Sequence, residues 1–450
     1  MTTISEVEEG FWKRARRVLR LAIPSAGETM LHMLVMLVIT YLVGHLGPAS
    51  LAAVGLSWQI SLTVMILFTA IGTGATALIA RMVGAEDWVG ANRVVRQAFL
   101  VAFGAGLAAT LVFVCFAESL LVLMGAEGDV LTQGVDFLRA VSSVFIVSAI
   151  MFIGHACMRG AGDMRRPLLI TIVVNLLNVG VAWVLVNGVG PFPALGVFGA
   201  GVGSSIGRAA GGLLVFVILL RGRAGLRLQW GEGFDWSLIR RMARIGLPAA
   251  VDQVAHRLGM LVFVRTIAAL GTVSFAAHQI ALNAESTSFM PGWGFAIAAT
   301  TLVGQGLGAR DARRSERDAM LAFYIALAFM SVMGVAFIIF APQIIGIFTE
   351  DADVIVAGST PLRVIGLVQP LLAAMMVFSG ALRGAGDTIT PMLVNAGSVW
   401  LIRVPGCLLV TLWLGWGLTG VWAVMGLDLA VRGTVMFVQF RRGRWKKLIV

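Results

Sequence analysis

Apolar stretches long enough to cross a lipid bilayer recur along this chain from about Val18 to Phe440, and that recurrence limits the fold more than any motif does. A spanning helix needs roughly 20 apolar residues, so 450 residues leave room for about a dozen spans and none for a separate soluble domain. Hydrophobic residues make up 58% of the chain and charged ones 13%. A soluble domain runs about a quarter charged, so a water-soluble enzyme or binding module is excluded. Divided at its glycine, proline and charged interruptions, the pattern predicts twelve helices starting near residues 18, 50, 93, 133, 167, 196, 243, 275, 318, 357, 391 and 419. The first is too long to be a cleavable signal.

The 34 basic residues against 23 acidic ones give a net charge of +11, which in a soluble protein would suggest nucleic acid. Their positions give a different reading. Basic residues precede the first helix (Lys13, Arg14, Arg16, Arg17, Arg20) and cluster at Arg81/Arg93/Arg96, Arg159/Arg165/Arg166, 221–244, 310–317, Arg383 and 441–447. With twelve spans, all of these lie on one side, while the alternate loops 44–50, 117–132, 188–195, 269–274, 341–356 and 415–418 hold no Lys or Arg. By the positive-inside rule the protein is expected to be a multi-pass protein of the cytoplasmic (inner) membrane, with both termini cytoplasmic. Orientation thus accounts for the charge, and no nucleic-acid partner is expected. Cys115, Cys157 and Cys407 lie in apolar runs without CxxC spacing, so neither a disulfide nor a metal site is expected.

Laying the chain on itself with an ungapped shift of 224 residues aligns Arg20 with Arg244, Pro24 with Pro248, Gly47 with Gly271, Asp87 with Asp311, Pro167 with Pro391 and Arg208 with Arg432. The strongest block sets Arg159-Gly160-Ala161-Gly162-Asp163 against Arg383-Gly384-Ala385-Gly386-Asp387. This is a duplication. Each half holds an even number of helices, so both start on the same side of the membrane. The expected fold is an all-α membrane protein: twelve transmembrane helices in two six-helix lobes related by a pseudo-twofold axis along the membrane normal. Residues 1–220 form the first lobe, 221–244 a cytoplasmic linker, and 245–450 the second lobe with a basic tail. Trp230, Phe234 and Trp236 among the linker arginines read as an interfacial segment.

Several of these motifs occur together in one known family. The ending Val43-Gly44-His45-Leu46-Gly47, the Arg-Gly-Ala-Gly-Asp turn followed by proline in both halves, and Phe289-Met290-Pro291-Gly292-Trp293-Gly294-Phe295 through Val303-Gly304-Gln305 resemble the multidrug and toxic compound extrusion (MATE) family over nearly the whole chain. The resemblance implies an antiporter that exports bulky, often cationic organic compounds against protons or sodium. Two departures stand out. Many members carry an aspartate five residues before the Gly of the VGxLG ending, which is Ile39 here, and another branch carries one eleven residues before the second Arg-Gly turn, which is Leu372 here. Coupling is therefore expected to use other groups.

A charge near the bilayer centre costs roughly 3 kcal/mol and marks a functional candidate unless it is merely paired. Glu28, Asp252, Glu285 and Asp428 are such acids. Glu28 and Asp252 each lie four residues after the matched proline and are followed, one turn later, by His32 and His256. At about 1.5 Å per residue from Arg20 and Arg244, the acids lie roughly 12 Å deep and the histidines roughly 18 Å. A proline bends its helix and frees a carbonyl, and a carboxyl beside an imidazole at such a bend is suited to hold a proton. Glu28 with His32 is the expected ion-coupling pair. A sodium site needs several oxygen ligands, so the histidine favours a proton over sodium.

In the second lobe, Arg257 follows His256 and is expected to keep Asp252 charged, within a polar network or substrate cavity of Asp252, His256, Arg257 and Glu285. Gln59, Gln253, Asn283 and Asn178 add uncharged polar groups to that lining. Asp428 and Arg432 are expected to pair within one helix, and the Arg-Gly-Ala-Gly-Asp turns to act as helix caps. His155 and His278 read as core histidines, and Gly199, Gly203, Gly207 and Gly211 as a close-packing stripe.

No Walker A sequence or HExxH or GxSxG motif appears, so neither ATP nor a membrane enzyme's chemistry is favoured, and no cofactor is expected beyond the coupling ion. Seven arginines (139, 208, 257, 265, 363, 403, 432) face four acids, which keeps open a lipid or lipid-linked sugar flippase of the same plan. The expected partners are small organic substrates and the bilayer, with a monomeric protein.

Overall fold

The computed structural model describes residues 4–222, 225–229, 231 and 233–448. Among these all regular secondary structure is helical, as hydrocarbon demands of a backbone that must satisfy its own hydrogen bonds. The spanning helices are α1 (Ile4–Gly44), α2 (Pro48–Gly84), α3 (Trp88–Cys115), α4 (Gly128–Ser142, continued as Phe145–Gly160), α5 (Arg165–Asn187) and α6 (Gly196–Leu220) in the first repeat. The second repeat supplies α7 (Trp236–Ala268), α8 (Thr272–Gly308), α9 (Ala312–Ile339), α10 (Ala352–Gly384), α11 (Ile389–Leu412) and α12 (Gly417–Arg441). Ten of them are long and apolar enough to cross a membrane by composition, and α4 joins them as a pair bent by 53°. The remaining helix, α8, has 37 residues but carries Asn283, Glu285 and Pro291 along its length.

The repeat is visible in the caps. Gly47 and Gly271, with φ of 117° and 99°, start α2 and α8, and the carboxylates of Asp87 and Asp311 accept from the backbone of Gly90 and Arg314 at 2.8 Å to start α3 and α9. Gly162 and Gly386 take φ of 89° and 88° in the two Arg-Gly-Ala-Gly-Asp turns, a conformation that glycine alone adopts freely. Asp163 and Asp387 then cap the following helices through the backbone N–H groups of Arg166 and Thr390. Two loops differ from expectation: each repeat sets a short helix there, Ala117–Leu123 and Ala341–Gly346. Seven residues or fewer show no period that a sequence can reveal. In α11 the helix passes through a π turn at Val399–Arg403 just before Pro405, whereas its counterpart α5 is regular.

The described chain forms two compact units, and the division runs through α1 and α7: one unit holds residues 27–246, the other residues 1–26 with 247–450. Both cuts lie within three residues of the matched prolines Pro24 and Pro248. The packing is reciprocal. In the first unit, a Cβ on Gly246 of α7 would lie 2.1 Å from the carbonyl oxygen of Ala70 in α2. In the second, a Cβ on Gly294 of α8 would lie 2.5 Å from the backbone nitrogen of Ala26 in α1. Arg17 of α1 also pairs with Asp318 of α9 at 3.5 Å. The α6 glycine stripe behaves as its spacing suggests, since Cβ atoms on Gly199, Gly203 and Gly207 would meet the α5 backbone within 2.6–2.8 Å. In the linker, Leu226 and Leu228 are buried while Phe234 and Trp236 stack in the open; Trp230 lies outside the described residues.

Candidate functional site

In the 27–246 unit the site is built around Glu28, which is 2% exposed. Its Oε1 lies 3.0 Å from His155 Nδ1 on α4, and its Oε2 lies 3.6 Å from an Arg159 nitrogen at the start of the Arg-Gly-Ala-Gly-Asp turn. Oε2 itself takes part in no hydrogen bond, and neither does His155 Nε2. The carboxyl is therefore hydrogen-bonded through one oxygen only, the other being buried beside Arg159. His32, one turn beyond Glu28, is exposed, although Glu28, Ile39 and Val43 on the same α1 face are buried. Met36, a further turn along, is exposed as well, so the accessible part of this face begins just beyond Glu28. His155 is the buried core histidine that the sequence suggests, and it is also the partner of Glu28.

Why these groups meet follows from how α4 is fastened. Thr76 Oγ1 on α2 donates to the Ala156 carbonyl at 2.9 Å, and a Cβ on Gly160 would lie 2.8 Å from the Thr76 carbonyl oxygen. This close approach fixes the turn that carries Arg159. The second repeat reproduces it: Thr300 Oγ1 donates to Gly380 at 2.8 Å, and Gly384 approaches the Thr300 carbonyl. Past the prolines, the matched carbonyls Leu31 and Ala255 each receive a side-chain N–H from the fifth helix of the repeat, Asn175 Nδ2 at 2.8 Å and Trp400 Nε1 at 3.2 Å.

In the other unit, Asp252 accepts from Arg383 at 2.8 Å and from Asn395 Nδ2 at 3.1 Å, both through Oδ2. The expected partner, Arg257, is not the one the fold provides. Asp252 and Arg257 are five residues apart, about 140° around the helix, so they point in different directions. Arg257 is half-buried and makes no hydrogen bond or ion pair among the described residues. His256 is exposed on the face that buries Asp252 and Phe263, as His32 is in the first unit. Glu285 is 8% exposed and likewise has no hydrogen bond or ion pair; the guanidinium that acts on it is that of Arg403. The network expected of Asp252, His256, Arg257 and Glu285 is thus split.

Asp428, fully buried, pairs with Arg432 at 2.5 Å as expected, and also with Arg403 at 2.7 Å and with the Ser398 hydroxyl. The π turn of α11 delivers Ser398 and Arg403 to one carboxylate. Arg403 also lies 5.6 Å from the ring centre of Phe263, and Arg208 lies 5.9 Å from that of Trp58. Arg139, Arg265 and Arg363 are exposed. Among the neutral polar groups, Asn178 is buried and accepts from Ser204 at 3.2 Å, while Gln59 and Asn283 are exposed and Gln253 is half-buried. His278 is the core histidine it was expected to be, accepting from Trp422 at 3.2 Å. A hollow lined by Leu247, Val251, Val254, Leu258 and Trp400 lies on the face of α7 away from Asp252 and His256 and holds no polar group for chemistry.

The chain matches the model of the MatE family twice, over residues 24–184 and 248–409. It is 31% identical over 439 residues to a "Probable multidrug resistance protein NorM" of Thermotoga maritima, covering 97% of this chain and 94% of that one. It is 28% identical to the "Uncharacterized transporter YisQ" of Bacillus subtilis, with 90% of each covered. Among solved structures, it resembles an "outward-facing conformation of a multidrug resistance MATE family transporter" with a TM-score of 0.90 at 23% identity, 97% of each chain being covered. A second, from Pyrococcus furiosus, described as having a binding pocket of reverse polarity, matches with a TM-score of 0.88 at 22% identity, again over 97% of each chain.

Proposed function

The chain belongs to the MatE family of multidrug efflux transporters, and from that premise we propose that it exports bulky organic compounds in exchange for protons, by alternating access, with Glu28 carrying the proton. One observation carries this reading. The ionisable neighbours of the Glu28 carboxyl are two imidazoles and a guanidinium, from His155, His32 and Arg159. None is a second carboxylate of the kind that favours a metal cation. One carboxyl oxygen has no hydrogen bond, which leaves a position for a proton, and His32, exposed one turn away, supplies a relay to it. Asp252 suits the task less, because Arg383 and Asn395 both hold its charge.

The protein works as a monomer in the cytoplasmic membrane, with both termini and the basic turns on the cytoplasmic side. Uptake of ethidium into everted vesicles or proteoliposomes, acid inside and free of sodium, tests the reading. Accumulation that follows the pH gradient is the expected result; accumulation only when sodium is added would sink it. A second reading gives the proton to Glu285, whose burial without a hydrogen bond favours a neutralising ligand equally well.

A further inference from the structure

Arg257 carries a charge for which its own unit supplies no counter-ion. It lies thirteen residues beyond Arg244, about 20 Å along α7 and so near mid-bilayer depth, where an unpaired guanidinium is costly. The acids in the interior of the unit are otherwise engaged. Asp252 is held by Arg383 and Asn395 and Asp428 by Arg403 and Arg432, while Glu285 forms no ion pair with Arg257 and lies in the field of Arg403. His256, the residue before Arg257, lies within electrostatic reach of Arg257, Arg403, Arg432 and Asp428. Three guanidiniums against one carboxylate leave that surrounding cationic. Because His256 is exposed one turn beyond buried Asp252, this field reaches an accessible point on α7.

We propose that this stretch of α7 is a recognition subsite for an anionic group, a carboxylate borne by an amphiphilic aromatic substrate, with Arg257 as its direct partner and His256 beside it. The proposal rests on the efflux reading and narrows it: compounds with a free carboxylate, zwitterions included, are preferred over their purely cationic analogues. The guanidinium provides a planar pair of donors that matches a carboxylate and desolvates at lower cost than an ammonium. Arg208, a half-buried arginine of the other unit, lies over Trp58 instead.

The test compares rhodamine B, which bears a free carboxylate, with its ethyl ester, which lacks that charge and carries an added ethyl group. Fluorescence anisotropy with the purified protein in a neutral detergent should show the acid binding about tenfold tighter or more, as one charge-assisted contact gives. Arg257→Gln should bring the acid down to the level of the ester without changing the ester, and Arg257→Lys should keep part of the preference. Melting temperature checks that the variants are folded, and the comparison in the unaltered protein does not depend on them. Equal binding of acid and ester, tighter binding of the ester, no binding of the acid, or a preference that survives Arg257→Gln overturns the proposal. Ethidium export in vesicles separates the two readings. Export without a preference for the acid removes the subsite alone; a preference without export of any dye removes the efflux reading and leaves the subsite.

Discussion

Arg159 and Arg383, 224 residues apart, each reach from the turn after the fourth helix of a repeat to the acid in the first helix of that repeat, but they hold it differently. Arg383 donates to Asp252 at 2.8 Å, whereas Arg159 approaches Glu28 only to 3.6 Å. The first contact is a hydrogen-bonded ion pair and the second is longer than a hydrogen bond. One duplicated device has thus become a fixed tie in one half and a loose one in the other. Where the tie is loose, a histidine, His155, has taken the acid's second oxygen.

That asymmetry predicts unequal costs for neutralising the two acids. Asp252→Asn leaves Arg383 without its carboxylate in a largely buried place and should destabilise by about 3 kcal/mol. A drop of roughly 6–12 °C in melting temperature is expected for units of this size. Glu28→Gln should cost about 1 kcal/mol, since Arg159 has further partners. Thermal unfolding of both purified variants checks the order, and a larger loss in Glu28→Gln would reverse it.

Function should divide the other way. Glu28→Gln is expected to abolish pH-driven ethidium transport while leaving dye binding within about threefold of the unaltered protein, because a permanently neutral side chain cannot alternate. Glu285→Gln made alongside it decides between the two carriers. Loss of coupling in Glu285→Gln with full activity in Glu28→Gln would assign the proton to α8.

Asp428 should be the least replaceable acid. It is fully buried against two guanidiniums, so Asp428→Asn leaves two charges sharing a neutral amide, at a cost of about 4 kcal/mol or more. Yield of folded protein after membrane extraction measures this. Yield equal to that of Asp252→Asn would mean that the cluster is more accessible to water than its burial indicates.

Backbone contact predicts the effect of a single methyl group. At Gly246 a Cβ would lie 2.1 Å from a main-chain oxygen, so Gly246→Ala should destabilise by about 1–3 kcal/mol. At Gly104 nothing lies within 4 Å, so Gly104→Ala should be neutral or stabilise by about 0.5–1 kcal/mol through helix propensity. The melting temperatures of this pair give the answer, and a fall for both would contradict the packing described.

Local spacing carried part of this site and misled in part. Asp428 with Arg432 was legible because residues four apart share a helix face. Asp252 with Arg257 was expected from nearness in sequence, but five residues turn the side chains away from each other. The partners that do meet, Glu28 with His155 and Asp252 with Arg383, are 127 and 131 residues apart, and no helical period encodes that. The offset of 224 residues did hold a clue: both acids and both turn arginines recur at it. The π turn at Val399–Arg403 had no forewarning, since α5 at the same offset is regular.

The exchange of helix ends between the units has a consequence for how the chain is made. The 27–246 unit is complete in sequence once the beginning of α7 has been synthesised, because Gly246 and Met242 furnish its last contacts, against Ala70 and Gly74. The leading part of α1 cannot finish then. Its partners, Gly294 and Asp318, are made about 270 residues and more after it, so Arg17 and Ala26 must wait in the membrane for most of translation. A substitution near residue 20 should therefore harm the late-made half of the protein rather than the half it belongs to by sequence, and ribosome-bound chains halted before α8 should leave residues 10–26 open to protease while 27–246 is already protected.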